Sequence, residues 1–219
     1  MISLKEVTLI AVSSIKIKET IEALTESQKG IDFFDTVLVT HEEPEDLPDS
    51  VKYENCDQIT NIKDYNYYMI YELSKHIKTK HCLTIQYDGY VVRPHKWQDS
   101  FLEWDYIGSP WPIKDDAYID PFGNNIRVGN GGFSLRSKNL LDVPGITEVP
   151  FEVNVGDFYK HMNLGLYNED GNICVHNRHI FEKNGCKFAP VEVAAHFSQE
   201  NNTPEIIGIN AFGFHKCKR

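Results

Sequence analysis

Three short runs in this chain carry residue types that could do chemistry. The first is Gln86-Tyr87-Asp88-Gly89, which closes the apolar run Cys82-Leu83-Thr84-Ile85. Asp88 offers a hard carboxylate oxygen suited to Mg²⁺ or Mn²⁺, and one such ion could bridge a diphosphate. Gly89 accepts backbone conformations closed to other residues, or lets a ligand approach closely. An Asp-Gly turn between two strands accounts for the same four residues. The second run is Glu169-Asp170, at the start of a predicted helix. There, an acid could take a proton from a sugar hydroxyl, and a helix N-terminus would keep it ionised. Two acids at that place also serve simply as an N-cap and a complement to the helix dipole. The third run, Gly129-Asn130-Gly131-Gly132, has three glycines in four residues. Its amide N–H groups are available to oxygen atoms, or it forms a plain turn at a strand start. It is neither a dinucleotide fingerprint nor a Walker A loop.

Two further residues stand apart. His215, in the closing Phe212-Gly213-Phe214-His215, could fold back over the Asp88 site as a second metal ligand. It could equally be a surface histidine near a frayed terminus. Trp111, in Tyr106-Ile107-Gly108-Ser109-Pro110-Trp111, could offer an exposed platform to the apolar face of a sugar, or belong to the core. His196 reads as a satisfied buried histidine.

The elements that must position these groups alternate. Val7–Val12 reads as a buried strand, Ile17–Gln28 as a helix stopped by Gly30, and Phe34–Thr40 as a second strand. An acidic loop over 41–50 precedes a short third strand at Val51–Tyr53. Asp64 precedes an aromatic-rich helix over Tyr65–Ile77, and the Cys82 strand follows. Such alternation predicts a layered α/β domain, whose ligands sit outside the carboxyl ends of the strands.

The second half is less regular. Trp97–Trp104 reads as a short helix, 105–108 as an edge strand or loop, and Ile113–Ile126 as a mobile loop. The glycine run leads into a strand, and Ser137 could cap a helix through Leu141. A helical pattern runs from Glu169 to Asn184 and stops at Gly185, and Phe188–Phe197 reads as extended. No repeat or composition break appears, so residues 1–219 are expected to form a single domain.

Composition narrows the partners. A net charge of −10 argues against a broad nucleic-acid or anionic-membrane surface. An anionic substrate would then need a metal or a local basic group. Cys56, Cys82, Cys174, Cys186 and Cys217 are odd in number and widely spaced, which suggests reduced thiols and a cytoplasmic setting. The first apolar run is too short to span a bilayer, so membrane association would come through a substrate or partner, at the inner face.

Taken in order, Leu4–Leu9, Gln86–Gly89, Trp104–Trp111, Val128–Ser137, Glu169-Asp170 and Phe212–His215 resemble a glycosyltransferase family long catalogued as a domain of unknown function and linked to surface polysaccharides. The resemblance spans nearly the whole chain, and 128–137 at its distance from the Tyr-Ile-Gly-x-Pro-Trp run is its specific part. It implies a compact GT-A-like fold, a central mixed sheet flanked by helices, with a nucleotide-sugar donor, a glycan or glycolipid acceptor, and Mn²⁺ or Mg²⁺. By position, Asp88 would be the last acid of the GT-A Asp-x-Asp motif and His215 the C-terminal metal ligand. Gln86 stands where that motif has its first Asp, and one carboxylate holds a cation less tightly than two. Gly131 and Gly132, with Asn130 and Trp111, would lie beside the acceptor, and Asp170 or Glu169 would be the base of an inverting transfer. Ser13, Ser14, Tyr65, Asn66, Gln86, Tyr87 and Gly89 would line the donor. The expected function is a metal-assisted, inverting glycosyltransferase of surface polysaccharide or glycoconjugate synthesis. A catalytically silent nucleotide-sugar or carbohydrate-binding module is the alternative, motivated by Gln86. A nucleotidyltransferase is a weaker one, because Ser13-Ser14-Ile15-Lys16 lacks a glycine-rich basic loop.

Overall fold

Val7–Val12 is buried at every position, so a strand here must be covered on both faces. In the computed structural model, which describes residues 1–115, 117–151 and 168–216, it forms the second half of β1 (Ile2–Val12). β1 pairs in parallel with β2 (Ile31–Thr40) on one side and with β4 (His81–Ile85) on the other. β3 (Lys52–Asn55) extends the sheet in parallel beyond β2. Beyond β4 lie β9 (Phe133–Ser137) and the edge strand β6 (Tyr106–Ile107), each antiparallel to its neighbour. The sheet is therefore mixed, in the order β3-β2-β1-β4-β9-β6. The chain leaves β1 toward β2 and returns as β4 on the opposite side. That reversal opens a crevice at the carboxyl ends of β1 and β4, where ligands of open α/β sheets bind.

Side chains alternate across the sheet and feed two cores. Leu9, Ala11, Leu38 and Leu83 pack under α1 (Ile17–Ser27), with its Ala23 and Leu24. Ile10, Val12, Val37 and Cys82 pack on the other face, against Tyr68, Met69, Leu73 and Ile77. That second cover begins as α2 (Ile62–Tyr67), widens into a π turn (Tyr68–Glu72) and tightens into a 3₁₀ turn (Leu73–His76). It is not the single helix expected over Tyr65–Ile77, and Asp64 does not start it. Asn61 does, its Oδ1 accepting from Asp64 N at 2.9 Å.

The irregular half is built from short pieces. β5 (Gly89–Val91) leaves the sheet and pairs with the C-terminal strand β11 (Gly213–His215), which also pairs with β10 (Ser198–Gln199). β7 (Ser109–Pro110) and β8 (Val128–Gly129) form a small hairpin base. The loop between them is tied down: Ile126 N donates to Tyr118 O at 2.7 Å, and Asp120 Oδ1 accepts from Phe122 N and Asn124 N. Residues 97–104 hold only a 3₁₀ turn, Asp99–Glu103. Ser137 caps α3 (Lys138–Ile146) as expected, its Oγ accepting from Leu140 N at 3.0 Å. Glu169–Gly171 opens a short helix, α4, that widens into a π turn (Asn172–His176). It resumes as α5 (Arg178–Lys183), and Gly185 ends it with φ +85°.

The expected extended segment at 188–197 is instead α6 (Val191–Phe197). The alternation of Val191-Glu192-Val193 resembles a strand, but Pro190 precedes the helix and Ala194, Ala195 and Phe197 form its buried face. His196 is exposed there, not buried. Cys56, Cys82, Cys174 and Cys186 are buried free thiols, and Cys217 lies outside the described residues. Among the described residues, no helix is long and apolar enough to cross a membrane.

Candidate functional site

The crevice between β1 and β4 contains a cleft of about 290 Å³ lined by Ser13, Ser14, Ile59, Tyr65, Gln86 and Tyr87, among others. Five of the residues expected at a donor, Ser13, Ser14, Tyr65, Gln86 and Tyr87, thus line one strand-end cleft. Ser14 Oγ accepts from Ile59 N at 2.9 Å, and Gln86 Nε2 donates to Tyr65 Oη at 3.0 Å. Tyr87 faces Lys16, whose Nζ lies 3.8 Å from the ring centroid. Lys16 was not singled out from sequence. It precedes α1 with φ +49°, an uncommon conformation for a residue other than glycine, so the turn after β1 is under strain.

Asp88 sits one residue beyond this cleft. The register His215↔Gly89 between β11 and β5 sets the histidine beside it. His215 Nε2 lies 3.2 Å from Asp88 Oδ1, and neither atom has a hydrogen-bond partner although both are buried. On the far side of the ring, Nδ1 lies 3.2 Å from Glu200 Oε1. Glu200 carried no signal in sequence. It follows β10, which pairs with β11, so strand register alone brings it to the histidine. Burial raises Asp88 and Glu200, but His215 outweighs it and holds both below the usual carboxylate range. Burial lowers His215, and the two carboxylates reverse that and raise it.

The glycine run joins this pair to the second acid group. Gly132 is glycine because an ideal Cβ there would lie 2.1 Å from His215 Nε2. A Cβ on Gly131 would lie 1.8 Å from Glu169 Oε1. The missing side chains therefore make room for His215 and Glu169. Asn130 is buried and shapes the turn, with φ +78°, Oδ1 accepting from Gly132 N and Nδ2 donating to Ser109 Oγ. Gln86 N donates to Gly132 O at 3.0 Å, which fastens the run to the end of β4.

Glu169 and Asp170 are adjacent but unlike. Glu169 is buried in an ion pair with Arg136 Nη2 at 2.7 Å, and its own N–H donates to Asn66 Oδ1 at 3.1 Å. Asn66 is thereby a tie to Glu169 from α2, and buried; it is not a cleft-lining residue. Asp170 is partly open to solvent. Its Oδ2 accepts from Gly131 N at 3.1 Å and its Oδ1 from Gly171 N at 2.8 Å. Burial, then the charges of Glu169 and Glu200, push its carboxyl up to about 7 against those two donors. A carboxylate that titrates near neutrality is suited to exchange a proton with a substrate.

Trp111 is not the exposed platform that its neighbourhood suggests. Its ring is buried, stacked on Tyr118 at 4.3 Å, and occupies the space that a Gly129 side chain would need. Arg136, fully buried and paired with Glu169, was missed from sequence, where it is one basic residue in a strand.

Among the described residues, no group of three or more His, Cys, Asp or Glu side chains forms a metal cage. Asp88 Oδ1 and His215 Nε2 are nevertheless two facing, unpartnered donors, and a divalent ion needs few protein donors when substrate phosphates complete its shell. The residues present fit such an ion.

The fold is similar to that of the galactosyltransferase LgtC solved with donor and acceptor sugar analogs, at 9% identity over 96% of this chain and 87% of that one, with a TM-score of 0.55. An active-site mutant of LgtC aligns over 97% and 88% with 9% identity and a TM-score of 0.52. Likeness at this identity establishes the fold, which is that of the GT-A glycosyltransferases. No curated protein matches in sequence. Residues 50–215, most of the chain, match the model of the family described as "Protein of unknown function (DUF5672)", and the chain belongs to that family.

Proposed function

We propose that this chain is a glycosyltransferase that moves a sugar from a nucleoside-diphosphate sugar to a hydroxyl of a glycan or glycolipid, in surface polysaccharide or glycoconjugate synthesis. One observation carries the reading. An unpartnered Asp88–His215 pair and a raised Asp170 carboxyl flank the same glycine turn, beside the cleft at the sheet's reversal point.

In this reading the cleft holds the nucleoside, with Tyr87, Ser13 and Ser14 at its wall. Asp88 and His215 would hold Mn²⁺ or Mg²⁺, which when bound would offset the charge of the departing diphosphate. Asp170 orients an acceptor hydroxyl and takes its proton. The hydroxyl oxygen bonds to the anomeric carbon as the bond from that carbon to the diphosphate oxygen breaks. Attack from the face opposite the leaving group inverts the anomeric centre. Glu169 is spent on Arg136 and holds the Asp170 backbone in place.

Thermal unfolding with a panel of nucleotide sugars tests the donor site. The runs use Mn²⁺, Mg²⁺ or chelator, on wild type and Asp88→Ala. Stabilisation by one nucleotide family, dependent on metal and lost in Asp88→Ala, is expected. Product analysis with that donor and glycan acceptors then tests transfer. A second reading, a catalytically silent binding module, is favoured by one observation: position 86 supplies no carboxylate and its amide is engaged by Tyr65. Donor binding with no transfer to any acceptor, under any metal, would replace the first reading by the second.

A further inference from the structure

We propose that Glu200 is the positioning carboxylate of the cation site. It grips His215 by Nδ1, so that Nε2 and Asp88 Oδ1 converge on one point. It also supplies, from behind the ring, negative charge that Gln86 does not supply beside Asp88. The inference rests on the reading of Asp88 and His215 as cation ligands.

The geometry is specific. Glu200 Oε1 and Asp88 Oδ1 each lie 3.2 Å from opposite nitrogens of one imidazole. The ring is buried, held between the two carboxylates and against the Gly132 backbone, where no side chain fits. A neutral imidazole bonded through Nδ1–H to Glu200 must present the Nε2 lone pair toward Asp88. Once Nε2 has lost its proton, two lone pairs face each other across 3.2 Å in a buried space, an arrangement that a divalent cation taking the proton's place relieves. An ion-bound histidine commonly donates its other N–H to a carboxylate, which fixes the tautomer and strengthens the ligand. Glu200 cannot ligate the same ion, because it lies across the ring.

The competing account is that Glu200 merely pairs with Lys216, whose Nζ lies 3.5 Å from Oε1. That lysine side chain is 62% exposed while Glu200 is 12% exposed, and a pair whose cation is mostly in solvent at this distance contributes little. Nor would such a pair require Glu200 to face the histidine.

Mn²⁺ is titrated into the full chain and followed by electron paramagnetic resonance, alone and with UDP, GDP and ADP in turn. Glu200→Gln should weaken Mn²⁺ binding about 10- to 100-fold, while Lys216→Met keeps wild-type binding. Nitrogen-15 spectra of histidine-labelled protein at pH 9 should show His215 as the Nδ1–H tautomer in wild type and shifted toward Nε2–H in Glu200→Ala. Circular dichroism checks that each variant is folded. Unchanged Mn²⁺ affinity and tautomer in the Glu200 variants would overturn the proposal and leave Glu200 as a strand tie. Absence of Mn²⁺ uptake by wild type with every diphosphate would overturn it as well. The transferase reading fails separately: calorimetric donor binding and product formation without metal would leave it standing.

Discussion

The two halves of the site are built differently. The donor half lies at the carboxyl ends of β1 and β4, two neighbouring parallel strands of the central sheet whose last residues are buried. Its polar residues occupy the positions where a strand must stop, and they need no distant partner to reach the cleft. The acceptor half is assembled from a glycine turn, a three-residue helix turn and short strands. There each functional group is held by a contact far off in sequence, Asp170 by Gly131 and Glu169 by Arg136 and Asn66, while His215 at the junction is held by Asp88 and Glu200. Both helices that meet at this half, after Tyr67 and after Gly171, widen into π turns. Such turns often mark functional sites. A rigid sheet thus presents one substrate, and a network of mutual supports presents the other. Damage should follow that division: donor-half changes cost binding, and acceptor-half changes cost turnover or the fold itself.

The largest expected effect is at the junction. Asp88→Ala should reduce transfer by about 10⁴-fold, the scale of a lost charge-stabilising centre, and abolish metal-dependent thermal stabilisation by the donor. Intact activity with that stabilisation lost would move Asp88 out of the chemistry. Next is Asp170→Asn, which should lower kcat by about 10³-fold while calorimetry finds donor binding unchanged. Loss of donor binding in this variant would break the division between the halves.

These expectations differ in how far sequence supports them. The alternation of the first half is readable because a two-sided strand is uniformly apolar and its polar cluster marks the end, as at Ile85-Gln86-Tyr87-Asp88. Ser13, Ser14, Gln86 and Tyr87 follow that logic as cleft residues, whereas Tyr65, on α2, is expected there only from the family resemblance. Glu200 and Arg136 were not. Each is one charged residue in an unremarkable run, and its place comes from strand register or from a partner 33 residues away. Trp111 misleads because its neighbours are polar while its own ring has Gly129 to lie on. The π turns after Tyr67 and Gly171 are invisible to a reading based on a 3.6-residue period.

Arg136→Met tests the support network. It leaves the Glu169 carboxylate buried without its partner, which should cost about 3 kcal/mol or more of stability, read from denaturant unfolding. Arg136→Met with Glu169→Gln should recover much of that loss, because the uncompensated charge is gone. Equal damage in the single and double variants would mean that Arg136 acts through packing.

Two glycine substitutions compare a site contact with plain backbone strain. Gly132→Ala places a methyl group against the His215 ring and should cost about 2 kcal/mol, together with Mn²⁺ affinity. Gly123→Ala meets no atom within 4 Å but sits at φ +88°, so it should cost about 1 kcal/mol from strain alone and leave Mn²⁺ binding intact. Equal Mn²⁺ affinity in both variants would deny the Gly132–His215 contact any role at the site.

The last effect is on pH, and it tests whether Asp170 is the base. The Asp170 carboxyl is raised by burial first and by Glu169 and Glu200 after it, from 3.8 to about 7. The proton is therefore held more tightly in the folded chain than in the unfolded one. Whatever stability this proton gives is complete below about pH 4 and is lost as pH rises through 7. Activity has the opposite sign, since the base must be ionised, so kcat/KM should rise with pH and reach half its limit near 7. Between pH 5 and pH 8 the wild-type chain should lose about 2–3 kcal/mol of stability through this group, and Asp170→Asn should lose correspondingly less. A rate profile flat from pH 5 to pH 8, with the chemical step shown to be limiting, would assign the base elsewhere. The same group thus trades stability for reactivity across one interval of pH.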